Sequence, residues 1–179
     1  MGLPKNVWTA AIMTPISDGN DTSPTTAIPK KPADLCFRSG RELANLMRAR
    51  KVSAREVMTA FLQQINRVNP KINAIVAKLD DDKCLALADD ADRRAASGKK
   101  LGPLHGLPFA FKDVEAAVGF PFTRGSPIYK DERPTEDAVL VERLRNAGVL
   151  PIGKTTSLSS AWARTRTTKS TGQPLIHTT

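Results

Sequence analysis

The chain has 179 residues, a formal charge of +9, and 40% hydrophobic and 25% charged residues, the mixture of one soluble globular domain. No run approaches the roughly 20 apolar residues of a membrane-spanning helix, and the N-terminus lacks the apolar stretch of a secretory leader, so a cytoplasmic protein without a membrane partner is expected. Cys36 and Cys84 stand in no Cys-x-x-Cys or Cys/His cluster, and His105 and His177 are isolated; two reduced thiols and no zinc site are expected.

Residues 1–33 are rich in Thr, Pro, Ser and Asn and show no apolar period, which predicts a flexible extension. Ser39-Gly-Arg-Glu42 is a capping box, in which hydroxyl and carboxylate each satisfy an orphan backbone amide, and it opens a short helix with Leu43, Leu46 and Met47 on one face. Ser53-Ala-Arg-Glu56 repeats the box, and Val57, Phe61, Ile65 and Val68 form one apolar stripe on a helix expected to end before Pro70. Ile72–Val76 reads as a strand. Asp80–Ser97 reads as an alanine-rich helix with Leu87, Ala91 and Ala95 in line, closed by Gly98.

Gly102-Pro-Leu-His-Gly106 leads by a turn into Leu107–Phe111, an apolar run short enough for a buried strand, which ends on Lys112-Asp113. After a Gly- and Pro-rich loop, Pro134-Thr135 reads as a helix start with Glu136 and Asp137 in the first turn, where the helix dipole favours anions. Leu140, Val141 and Leu144 continue that helix, Gly148 stops it, and Val149–Ile152 is a second apolar strand. Strand, helix, strand is the unit of a largely parallel α/β sheet.

Residues 148–155, Gly-Val-Leu-Pro-Ile-Gly-Lys-Thr, satisfy the spacing of a phosphate-binding loop. The order of elements is inverted, however: the first glycine ends a helix, and the intervening residues form a strand whose amides are committed to a sheet. A structural helix-to-strand turn is expected, with no nucleotide bound. The cations from Pro151 onward, Lys154, Arg164, Arg166 and Lys169, are accompanied by no acid. With no aromatic interleaved beyond Trp162, that stretch reads as a solvated tail and not as a nucleic-acid surface.

Lys112 is the informative lysine, standing at the end of an apolar strand. Burial there would disfavour its ammonium form and make it a general base or nucleophile; the other reading is a strand-end lysine whose head reaches solvent. The surrounding succession resembles the N-terminal part of the amidase signature family of serine hydrolases: Gly102-Pro-Leu-His-Gly-Leu-Pro-Phe-Ala-Phe-Lys-Asp113, then Gly125-Ser-Pro127, Pro134-Thr-Glu-Asp-Ala138 and Arg143–Thr155. The resemblance runs from near Leu35 to near Thr156. It implies an α/β/α fold around a mixed sheet, hydrolysis of carboxylic amides through an acyl-enzyme, no metal or organic cofactor, and a small-molecule amide as substrate, with a small-molecule or fatty-acid amidase and the amidotransferase subunit that draws ammonia from glutamine for charged tRNA alike over this region. Lys112 matches the lysine of the family's Ser-Ser-Lys triad, which as a neutral amine takes a proton through an intermediate serine while the outer serine attacks the amide.

Both family serines belong to a Gly-Gly-Ser-Ser-Gly-Gly type segment downstream of this strand, and nothing between Lys154 and Thr179 resembles it. Ser157, Ser159 and Ser160 lack the flanking glycines that turn backbone amides onto an oxyanion, and Ser126 reads as a turn residue. Residues 34–157 therefore read as a partial, apparently incomplete amidase domain, and residues 158–179 as a basic tail departing from the family pattern. The expected protein is an amidase by fold and motif, inactive as this chain alone. The alternative is a non-catalytic binding or regulatory chain whose uncovered apolar faces dock on a partner.

Overall fold

A computed structural model describes residues 32–156; the readings of residues 1–31 and 157–179, including Ser157, Ser159, Ser160, the cations after Thr156 and His177, lie outside the described residues. The elements are helices α1 (Pro32–Leu35), α2 (Gly40–Arg48), α3 (Ala54–Ile72), α4 (Asp81–Ala96) and α5 (Val139–Asn146), and strands β1 (Ile75–Lys78), β2 (Pro108–Lys112) and β3 (Leu150–Thr155). The sheet order is β1-β3-β2, with β1 antiparallel and β2 parallel to β3. This is the mixed sheet implied by the resemblance.

Both capping boxes form. The Glu42 and Glu56 amides donate to Ser39 and Ser53 Oγ at 3.2 and 3.0 Å, and the two carboxylates accept the serine amides at 2.9 and 2.8 Å. The start of α3 also receives the Asp92 carboxylate of α4, which accepts the Ala54 and Arg55 amides at 2.7 and 3.0 Å, an anion where the helix dipole is positive. That contact and the Arg55–Asp89 ion pair fasten α3 to α4.

Three differences from the sequence expectations have local causes. The helix α3 runs through Pro70 to Ile72, because a proline in the last turn forfeits one bond while Asn73, left-handed at φ 47°, closes the helix with its amide on the Asn69 carbonyl. The strand consequently begins at Ile75, where the Asn69 side chain accepts from the Ile75 amide and donates to the Ile75 carbonyl at 2.8 and 2.9 Å. The helix α5 starts at Val139, so Glu136 and Asp137 precede it; Asp137 instead accepts the Val118 amide at 2.7 Å and pairs with Arg145 at 2.9 Å. Finally, β2 is only partly buried: Phe111 is enclosed, whereas Phe109 is 37% exposed.

The sheet separates two layers. On one face Met58 and Leu62 of α3 and Cys84, Ala88 and Ala91 of α4 pack on Leu150 and Ile152; on the other, Val141 of α5 packs with Phe111, Ala117, Phe120 and Val149. Cys84 is fully buried and burial pushes its thiol pKa up, which suits a packing residue better than a reactive one. Both cysteines are free.

The turn before β2 is held against the end of α5. Leu104 donates to the Ala147 carbonyl and Gly106 to that of Gly148, each at 2.9 Å, and Gly148 takes φ 97° to stop the helix. A Cβ on Gly102 would lie 2.2 Å from the Ala147 oxygen, which the Leu104 bond keeps in place. Gly102→Ala is expected to destabilise the fold by about 1–3 kcal/mol through overpacking, read as a lower urea midpoint at unchanged slope.

Candidate active site

The parallel pair β2–β3 brings Lys112 level with Thr155 and Phe111 level with Lys154, so the two lysines stand on neighbouring strands at their C-terminal ends. In open α/β sheets this end is where ligands bind. Lys112 is exposed, with its Nζ donating to the Thr156 carbonyl at 3.2 Å. Within residues 32–156, therefore, Lys112 has the solvent-reaching placement, and the burial that would make it a base is not present.

Lys154 is the opposite case. Its sequence context places it in a false phosphate-loop pattern and in the run of cations after Pro151, yet it is fully buried in β3, as is its neighbour Asp113 at 2% exposure. Its Nζ lies 3.8 Å from the Asp113 carboxylate, donates to the Glu115 carbonyl, and sits 5.5 Å from the centre of the Phe122 ring. Burial holds the Lys154 pKa below the usual lysine range, with Asp113 and Glu115 pulling against it. No sequence signal pairs it with Glu115, 39 residues away.

Asp113 gathers the following loop. Its carboxylate accepts the Thr123 amide at 3.2 Å, the Thr123 hydroxyl and the Gly125 amide at 3.3 Å, while its own amide donates to the Thr155 carbonyl at 3.1 Å. Arg124, between those two residues, lies 4.3 Å over the Phe122 ring and 4.4 Å over that of Tyr129. Ser126 caps the short 3-10 turn Pro127–Tyr129 by accepting the Ile128 amide at 3.4 Å, the turn role expected of it. His105 faces the Ala91 carbonyl at 3.0 Å from Nε2.

Gly153, Lys154 and Thr155 all lie inside β3, the central strand, paired on both sides. Their amides face neighbouring strands, so the glycine-lysine-threonine pattern forms no phosphate cradle. Among the described residues no group of His, Cys, Asp and Glu could hold a metal ion, and no helix is long and apolar enough to cross a membrane.

The mixed α/β sheet with helices on both faces is shared with solved structures of known amidases. The sequence profile of the Amidase family matches residues 56–175, and the chain belongs to that family. It is 43% identical over 123 residues to a component of the glutamyl-tRNA(Gln) amidotransferase of Acidothermus cellulolyticus, covering 69% of this chain and 24% of that protein. It is 40% identical over 129 residues to an acylamidase of Rhodococcus erythropolis, covering 72% and 27%. Among solved structures, the peptide amidase of Stenotrophomonas maltophilia superposes with a TM-score of 0.64 at 33% identity, over 74% of this chain and 27% of that one. The chain thus spans about a quarter of the length of the relatives it matches.

Proposed function

We propose that this chain supplies the lysine-bearing segment of a hydrolase of carboxylic amides, with Lys112 as the base of a Ser-Ser-Lys triad whose serines lie outside its 179 residues. The observation that carries the reading is the position of Lys112 in an amidase-family sheet, at the C-terminal end of β2 beside the end of β3. For a lysine to accept a proton near neutral pH its ammonium must be desolvated. Lys112 is exposed within residues 32–156, so the desolvating wall has to come from chain beyond them. The substrate is a small-molecule amide, no cofactor takes part, and the 179-residue chain alone does not turn over amides.

The purified chain is to be assayed on an acyl anilide and treated with a fluorophosphonate, which labels activated serines. No turnover above the blank and no adduct are expected; an adduct on any serine, with turnover lost in Lys112→Ala, would overturn the claim of inactivity.

A second reading, a non-catalytic chain that docks on a partner, is favoured by one observation. Among the described residues the outer strand β2 pairs on one side only, and Val139 and Leu140 of α5 are 63% and 52% exposed. A complex of fixed stoichiometry in light scattering would support docking, and polydisperse aggregates would count against it.

A further inference from the structure

The buried pair Lys154–Asp113 has no place in the triad chemistry, and removing two charges from water needs strong compensation. Its contacts tie the backbone that follows Lys112 to β3 and to residues 122–125. The turn that follows Lys112 closes when the Glu115 amide donates to the Lys112 carbonyl at 2.9 Å, and the carbonyl of that same Glu115 is the acceptor for Lys154 Nζ. On the other side of the turn, Asp113 is the residue bonded directly to Lys112. Its carboxylate is fixed by Thr123 and Gly125, and its carbonyl accepts the Arg124 amide at 3.2 Å.

We propose that the Lys154–Asp113 pair is a positioning element for Lys112: by clamping the 112–115 turn to β3 and to residues 123–125, it holds the Lys112 amine at the end of the sheet against the Thr156 carbonyl. Lys154 and Asp113 are positioning residues in this scheme and touch no substrate. The inference rests on the assignment of Lys112 as the functional lysine, but its own content is geometric and is tested without catalysis.

The test is the order of the Lys112 side chain in the 179-residue chain, read by 13Cε relaxation of labelled lysines, with Lys112→Arg used to assign the signal. In the wild type Lys112 is expected to be more ordered than the exposed Lys100. The double variant Lys154→Met/Asp113→Asn leaves the net charge unchanged and keeps a side-chain oxygen for Thr123 and Gly125. In it the Lys112 order parameter is expected to fall to that of Lys100, while Lys78, tied to Asn66 and Asp81, keeps its own. If the double variant also loosens Lys78, the fold itself has given way, and Thr123→Val, which removes one hydroxyl donor to Asp113, decides with the same readout at smaller amplitude. An unchanged Lys112 in a folded variant, or a wild-type Lys112 already as mobile as Lys100, would overturn the proposal. Loss of Lys112 order together with full activity of a Lys112→Met amidase would instead remove the catalytic assignment and leave the clamp standing.

Discussion

Lys154→Met is expected to destabilise the fold by about 3–5 kcal/mol, the cost of leaving a buried carboxylate without its partner. The side chains of Lys154 and Asp113 are 0% and 3% exposed, so solvent screens little of the loss. The same substitution has a pH signature. Because burial lowers the folded-state pKa of Lys154 below its unfolded value of 10.5, the folded chain binds that proton less tightly than the unfolded chain. The proton-linked part of the Lys154 contribution, which comes on top of its pairing and packing, is therefore fully present above pH 10.5 and is lost as pH falls through the folded-state pKa. Urea midpoints of wild type and Lys154→Met, compared over the alkaline range, should show the wild type gaining on the variant as pH rises towards 10.5. A flat gap would mean that Lys154 titrates alike in both states, and a narrowing one that folding raises its pKa instead of lowering it.

Phe111→Ala is expected to cost a similar amount, about 3–5 kcal/mol, by lost transfer energy and the cavity left behind. Phe111 is 1% exposed, lies tilted against Phe109 with ring centres 5.4 Å apart and meets Phe120 edge-on at 6.5 Å. It joins β2 to the α5 layer through Val141 and Val149. The corresponding change at Phe109, which is 37% exposed, should cost markedly less. Chemical denaturation of the two variants checks the ranking, and equal losses would contradict the two-layer description of the sheet.

Local chemistry explains which elements could be read from the sequence. The capping boxes at Ser39 and Ser53 act within four residues, and both form as read. Gly98 and Gly148 end their helices with positive φ because only the backbone's own conformation is at stake there. Pro70 misleads for the converse reason: the left-handed Asn73 and the Asn69 bridge to Ile75 rescue the helix end, and nothing in the local composition shows that bridge. Asp137 falls outside its expected helix because its partners, Val118 and Arg145, come from other segments.

The site divides in the same way. Lys112 could be picked out from its strand-end position and the motif around it. Lys154 could not, because the turn after β2 and the last strand bring it to Asp113 and Glu115 only after the sheet has formed. Seen alone, its neighbourhood of glycine and threonine suggests a nucleotide, and the pairing of β3 on both sides removes that reading.

The decisive measurement joins this chain to the remaining three quarters of the Rhodococcus erythropolis acylamidase and follows acyl anilide hydrolysis before and after Lys112→Met. A fusion that turns over amide, with turnover falling by at least about 100-fold in the variant while its circular dichroism stays unchanged, is the predicted result for a general base. A fusion whose rate is indifferent to Lys112→Met would contradict the account.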